Sequence, residues 1–151
     1  HRYISLFQLG DYPAVIRDTE RNLELFAFVR QYAEREEIAW SFEQFRPYVM
    51  MMRTRAKASI HLEKEDFAGA IREAEKGRNA ILEALQERPE PAETSPEVEF
   101  LEQWLDELRS KRPLSRLEVL QREMDQAIAA EAYERAAELR DAIQAEQKAA
   151  R

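Results

Sequence analysis

Apolar side chains recur along most of the chain at intervals of three and four residues, the spacing typical of amphipathic helices. The clearest example lies near the C-terminus, where Leu117, Leu120, Met124 and Ile128 fall on one stripe. No segment shows the strict alternation that a half-buried strand requires. The pattern predicts an all-α protein.

The C-terminal stripe belongs to a predicted helical hairpin over residues 114–145. Ser115 followed by Glu118 is a capping-box arrangement, and Pro113 prevents a preceding helix from continuing. The periodicity breaks at residues 130–132 and resumes at Tyr133. Two helices joined by so short a turn run antiparallel. The second stripe consists of Tyr133, Ala136, Ala137, Arg140 and Ile143.

This hairpin resembles the UVR motif of the excinuclease B and C subunits of bacterial nucleotide excision repair. Similar hairpins are present in some Clp-type chaperones and in a zinc-binding activator of a protein arginine kinase. The sequence departs from the family pattern at Ala132, where an acidic residue is usual, and at Glu146, where an apolar one is usual. The matching positions are Leu120, Met124, Ala127, Tyr133, Glu134, Ala136, Ala137, Leu139, Arg140, Asp141 and Ile143.

The resemblance implies a protein-binding hairpin that pairs with another protein's hairpin and performs no chemistry. We therefore expect an adaptor whose partner is another hairpin-bearing protein or a second copy of this chain. The apolar stripe left incomplete at Glu146 favours such a partner. Arg140 and Asp141 are expected to fix the register by ion pairs. The expected partner-binding residues are Leu120, Met124, Ile128, Tyr133, Ala136, Ala137, Leu139, Arg140, Asp141 and Ile143.

The N-terminal part contains an internal repeat with a step of 55 residues, which brings Asp11-Tyr12 onto Asp66-Phe67. Each copy has an acidic N-cap, then an aromatic residue, then small or branched apolar residues three and four positions later. This is similar to the turn and second helix of a tetratricopeptide repeat. We therefore predict tetratricopeptide-like antiparallel helical repeats over residues 1–88.

Helix-breaking residues and the periodicity of apolar residues divide the rest of the chain into segments. The proline-containing segment 89–95 is the predicted linker, and residues 96–112 form a connecting helix that packs on the repeat region. Residues 113–151 form the UVR-like hairpin. In the repeat region the helix after Asp11 carries apolar residues on two faces, one of them Leu25, Phe28 and Tyr32, so we expect it to be central. Met50, Met51 and Met52 are interpreted as core.

Composition narrows the function further. The chain of 151 residues has no Cys, which excludes disulfides and thiolate metal sites, and no apolar run long enough to span a membrane. We expect a cytoplasmic protein without a cofactor. Because the chain begins with His1 rather than Met and a helical pattern starts at once, we also expect it to be part of a longer protein.

Catalytic motifs are not found: there is no Gly-rich phosphate loop, nucleophile elbow or paired-histidine motif. His61 is interpreted as a solvated or hydrogen-bonded helix residue and His1 as a terminal remnant. The net charge of −7 argues against direct binding to nucleic acid, although the run Arg46, Arg53, Arg55 and Lys57 could form a small patch. Two alternatives stay open: a structural domain of a larger protein and a DNA-binding repair accessory factor.

Overall fold

The computed structural model describes residues 2–151, so the interpretation of His1 lies outside the described residues. Residues 2–151 form helices and no strand, which confirms the predicted all-α class. The helices are α1 (Arg2–Gln8), α2 (Tyr12–Tyr32), α3 (Glu36–Glu43), α4 (Arg46–Glu63), α5 (Phe67–Gln86), α6 (Pro96–Lys111), α7 (Arg116–Ala129) and α8 (Tyr133–Ala149).

The chain divides into two compact units, the first ending at Arg112 and the second spanning Pro113–Arg151. The first unit holds α1 to α6, and the second holds α7 and α8. Residues 87–95 connect α5 to α6 inside the first unit. As predicted, α6 packs on the preceding helices, and it buries Val98, Leu101, Leu105 and Leu108.

The central helix of the first unit is α4, which packs against α1, α2, α5 and α6. Its three consecutive methionines, residues 50–52, are all buried, which confirms their interpretation as core. The expectation that α2 is central is wrong. Its second apolar face reaches solvent, with Phe28 and Tyr32 exposed by 60% and 63% and their rings 4.7 Å apart. Although α2 has two apolar faces, the face with Phe28 and Tyr32 is not covered by another helix within residues 2–151.

Two helix boundaries complete the description of the fold. Helix α4 follows the short α3 and starts at Arg46, with Pro47 in its first turn. This proline lacks a backbone N–H but is tolerated there, because the first turn needs no donor. Helix α8 continues to Ala149.

The turns between α1 and α2 and between α4 and α5 have the same backbone conformation. A residue with positive φ, Gly10 (76°) or Glu65 (56°), is followed by Asp11 or Asp66 with φ and ψ near −85° and 70°. The N–H of each Asp donates to the carbonyl five residues earlier, at 3.0 Å and 2.9 Å. These bonds satisfy carbonyls that a helix end otherwise leaves unpaired.

Both aspartates are N-caps, as predicted. Asp11 accepts from the N–H of Ala14 at 3.2 Å, and Asp66 accepts from the N–H of Gly69 at 2.9 Å. His61 also lies 2.8 Å from Asp66 through Nδ1, so its interpretation as a hydrogen-bonded helix histidine is confirmed. The 55-residue repeat is thus a repeat of turn geometry. Its likeness to tetratricopeptide repeats stays a prediction.

Candidate functional site

The hairpin of the second unit uses the same turn as the first unit but without its polar cap. Glu131 has a positive φ of 58°, and the N–H of Ala132 donates to the carbonyl of Ala127 at 2.8 Å. Ala132 has φ −84° and ψ 69°, close to the values of the two capping aspartates, yet its side chain accepts no hydrogen bond. At the other end, the predicted capping box of Ser115 and Glu118 is present in full.

A narrow apolar seam joins α7 to α8. Its buried side chains are Leu120 and Ala127 from α7 and Leu139 and Ile143 from α8. The small Ala127 lets the two helices approach closely. The half-buried residues that border this seam are Met124, Ala136 and Ala142.

One edge of the hairpin carries ion pairs that join the two helices. Arg116 Nε lies 3.3 Å from Glu146 Oε2, and Arg135 Nη2 lies 3.7 Å from Glu123 Oε2. We call these four residues the ion-paired edge. All four are at least 40% exposed, so each pair contributes little to stability, roughly 0–1 kcal/mol. The pairs do identify which side of α7 and which side of α8 form the same edge of the hairpin.

The opposite edge is apolar and open. Successive residues of an α-helix are rotated by about 100° around its axis, and Leu120 points into the seam. Counted from Leu120, Leu117 and Ile128 lie on one side of α7, and Arg116 and Glu123 lie on the other. By the same rule Tyr133 and Ala136 lie on the side of α8 away from Arg135 and Glu146. Ile128 is 49% exposed and Tyr133 66% exposed. We call Leu117, Ile128, Tyr133, Ala136 and Arg140 the open edge.

The structure separates the predicted partner-binding residues into two groups. Leu120, Leu139 and Ile143 are buried in the seam, with Met124 beside them, so in the closed hairpin they hold the two helices together. Ile128, Tyr133 and Arg140 are exposed, whereas Ala136 and Ala137 are half-buried.

Arg140 and Asp141 contact each other, with Nη2 and Nε of Arg140 both 3.3 Å from Asp141 Oδ1. Both side chains are well exposed. Helix geometry places Asp141 on the outer face of α8, about 100° beyond Arg140.

Sequence reasoning missed the ion-paired edge. Glu146 follows Leu139 and Ile143 along α8 at the position where the apolar stripe was expected to be incomplete, and it pairs there with Arg116 across the hairpin. The sequence did contain evidence for this edge. Arg116 lies four residues before Leu120 and Glu123 three residues after it, so both are next to the seam on the surface of α7.

The basic run on α4 does not form one patch. Arg46 is engaged by Glu43 through two hydrogen bonds of 2.7 Å and 2.8 Å. Helix geometry places Arg53 and Lys57 on the same side of α4 as Arg46. Arg55 lies on the opposite side. Because Glu43 holds Arg46, the run leaves Arg53 and Lys57 on the Arg46 side of α4, fewer cations than phosphate binding usually uses.

Residues 2–151 contain no group of three or more His, Asp or Glu side chains arranged to hold a metal ion. Within the same range no helix is both long and apolar enough to cross a membrane.

Comparison with known proteins identifies the second unit. The sequence family described as the UvrB/uvrC motif matches residues 115–149, which confirms the resemblance of the hairpin to that motif. No curated protein and no solved structure matches the chain. The match covers α7, α8 and the turn between them.

Proposed function

We propose that this protein is a non-enzymatic protein–protein interaction module whose open edge docks a helical hairpin of another protein or of a second copy of this chain. One observation carries the proposal: after the hairpin closes on its own seam, the two largest apolar side chains beside the turn, Ile128 and Tyr133, are still about half exposed or more. An exposed branched side chain and an exposed aromatic side chain on either side of one turn are suited to act as anchors of an interface.

The size of the hairpin supports association. The hairpin buries only Leu120, Leu139 and Ile143 as large side chains, a core small enough that a unit of this kind usually needs a disulfide, a metal or oligomerisation. The chain has no Cys, and no metal-binding group is found in residues 2–151. Binding to a partner is the contribution that this edge can make.

The shape and charge of the open edge favour a helical partner. Ala136 and Ala137 present little side-chain volume between Tyr133 and Arg140, so another helix can approach the backbone of α8 closely. Arg140 is exposed at the border of this surface, where a charge sets register and orientation more than affinity. We propose that Arg140, released from Asp141, pairs with an acidic residue of the docked hairpin.

The proposal includes the cellular system to which the partner belongs. The UvrB/uvrC resemblance favours a partner in nucleotide excision repair, and related hairpins in Clp-type chaperones offer a second system, both cytoplasmic. Direct binding to DNA gains no support, given the net charge of −7 and the division of the basic run between two sides of α4. A purely structural role within a larger protein would leave Ile128 and Tyr133 without a binding role.

The experiment compares open-edge variants with a matched control. Ile128→Asp and Tyr133→Asp place a charge on the open edge, whereas Val119→Asp places the same charge on an exposed apolar residue (38%) on the ion-paired side of α7. Self-association of the full chain is measured by sedimentation velocity. Hairpin-bearing partners recovered from the native cell are quantified by mass spectrometry.

We expect both open-edge variants to weaken association at least tenfold, because a buried unpaired charge is costly, and Val119→Asp to leave it unchanged. Circular dichroism must show equal helix content in all three variants. Equal association by the wild type and the open-edge variants, for self and for every hairpin partner, would contradict the proposal.

A further inference from the structure

The first unit contains an arginine whose surroundings differ from those of its other buried or bonded arginines. Arg2 forms two hydrogen bonds of 2.6 Å and 2.7 Å to Asp18, and Arg46 is held by Glu43 in the same two-pronged way. These carboxylates raise the pKa of both guanidinium groups. Arg55 on α4 is half-buried and has no carboxylate within ion-pair distance among residues 2–151.

Aromatic rings from two other helices hold the Arg55 guanidinium. Its central carbon lies 4.4 Å from the ring centre of Phe7 on α1 and 4.8 Å from that of Phe100 on α6. Phe7 in turn contacts Tyr12 at 5.3 Å, and Phe100 contacts Trp104 at 6.4 Å. Arg55 and these rings together form a row with members from four helices, α1, α2, α4 and α6. Such contacts fix the orientation of a planar guanidinium.

The hydrogen-bonding edge of Arg55 is left open by this arrangement. Its one hydrogen bond within residues 2–151 runs from Nη1 to the sulfur of Met52, at 3.6 Å. No side-chain nitrogen in the described part of the chain is both fully buried and without a partner, so Nε and Nη2 of Arg55 are not fully buried. Burial lowers the pKa of Arg55, with Tyr48 and Tyr12 acting in the opposite direction.

We propose that Arg55 binds a carboxylate group presented by a peptide segment with apolar flanks, through in-plane hydrogen bonds from Nε and Nη2. A guanidinium edge offers two parallel donors that match a carboxylate. Phe7 and Phe100 flank it with apolar surface that suits aliphatic neighbours of the carboxylate. This site lies in the first unit and goes beyond the function proposed for the hairpin.

A single cation selects a carboxylate over a phosphate. Phosphate binding is supported by several Lys and Arg side chains, but Arg53 and Lys57 lie on the opposite side of α4. A carboxylate carries one charge, which Arg55 balances alone. The carboxylate could belong to an acidic side chain or to a chain terminus, and both sources present the same group.

The first test is a titration of the full chain with acetate, at constant ionic strength set by chloride. The signal is the Nε–Hε resonance of Arg55, assigned by its loss in Arg55→Met. We expect a saturable shift with a Kd on the order of 1–10 mM and no saturable shift at Arg53. Equal, non-saturating shifts at both arginines, or a response to inorganic phosphate without one to acetate, would overturn the proposal.

Three synthetic peptides then identify the source of the carboxylate. One has a single internal glutamate between leucines and blocked ends, one has a free terminal carboxylate and no acidic side chain, and one is a fully neutral glutamine peptide. We expect one or both acidic peptides to bind at least tenfold more tightly than the neutral one. Equal binding of all three would overturn the proposal.

Variants of Arg55 distinguish carboxylate binding from a purely structural role of this side chain. Arg55→Met keeps an apolar chain between the two rings, Arg55→Lys keeps the charge but loses the two-pronged edge, and Arg53→Met is the matched control on the same helix. We expect at least a tenfold loss of acidic-peptide binding in both Arg55 variants and none in Arg53→Met. If the Arg55 variants lower Tm while acidic peptides bind wild type and variants alike, Arg55 is only a brace and the proposal fails.

Discussion

In the first unit α4 packs against four other helices, whereas in the hairpin α7 has α8 as its partner within the unit. Large side chains such as Ile81, Leu85 and Leu101 are fully buried in the first unit. The hairpin buries only Leu120, Leu139, Ile143 and the small Ala127. Yet both regions use the same backbone turn. The comparison indicates that local geometry makes a hairpin, while the extent of its core decides how much it depends on other contacts.

The largest expected effects come from the two cores. Leu101→Ala should cost about 2–5 kcal/mol of the free energy of unfolding of the first unit, which folds nonetheless. Leu139→Ala removes one of only three large buried side chains of the hairpin and should abolish its protection from hydrogen exchange. Urea unfolding and native-state hydrogen exchange measure the two effects. Leu9→Ala, at an exposed position, is the control. Retained protection in Leu139→Ala would show that the seam is not what holds the hairpin.

Gly77 tests how closely helices approach in the larger core. A Cβ at this position would collide with the side chain of Thr54 on α4. Gly77→Ala should therefore destabilise the first unit by about 1–3 kcal/mol, although Ala is the better helix former. Asn79→Ala, exposed on the same helix, should be neutral or slightly stabilising. Adding Thr54→Ala should recover part of the loss; a stabilising Gly77→Ala would contradict this packing.

The shared turn allows the cap to be exchanged between the regions. Ala132→Asp gives the hairpin the side chain that Asp11 and Asp66 supply elsewhere and should stabilise it by about 1 kcal/mol. Asp11→Ala should destabilise the first unit by a similar amount. Hydrogen exchange at residues 133–136 measures the first change and urea unfolding the second. Ala132→Leu, which offers no acceptor, is the control and should bring no gain.

The smallest expected effect is on acid stability of the first unit. Hydrogen bonds from Arg2 hold the pKa of Asp18 below its ordinary value, and the N–H of Gly69, followed by His61, does the same for Asp66. A lowered folded-state pKa means that this stabilisation is present above about pH 4 and is lost as the pH falls through the folded value. Asp18→Asn should flatten the pH dependence of unfolding below pH 4, and Glu20→Gln should not.

Much of the fold follows from local signals in the sequence. The caps at Asp11, Asp66, Ser95 and Ser115 mark helix starts because each supplies an acceptor to a free N–H. Periodicity identified the hairpin, and the motif match confirms its kind. Local signals do not say which apolar face is covered, so the outward face of α2 at Phe28 and Tyr32 was misplaced.

The candidate site was predicted only in part, for a related reason. Apolar spacing finds the stripe of each helix but not which members meet across the seam. Leu139 and Ile143 meet α7 while Tyr133, in the same stripe, points to the open edge. The ion pair between Arg116 and Glu146 depends on the antiparallel register, which the pairing of the two helices sets. Arg55 was grouped with its sequence neighbours, because its stacking partners are distant in the chain.

The open edge is the surface that we propose meets a partner. Its most direct test places the photo-crosslinking residue p-benzoylphenylalanine at position 133 and, as control, at position 119 on the ion-paired side of α7. Crosslinked peptides are identified by mass spectrometry. We predict that position 133 crosslinks to a helical hairpin, from another protein or from a second copy, and that position 119 does not. Crosslinking at position 119 alone, or no hairpin peptide at position 133, would contradict the account.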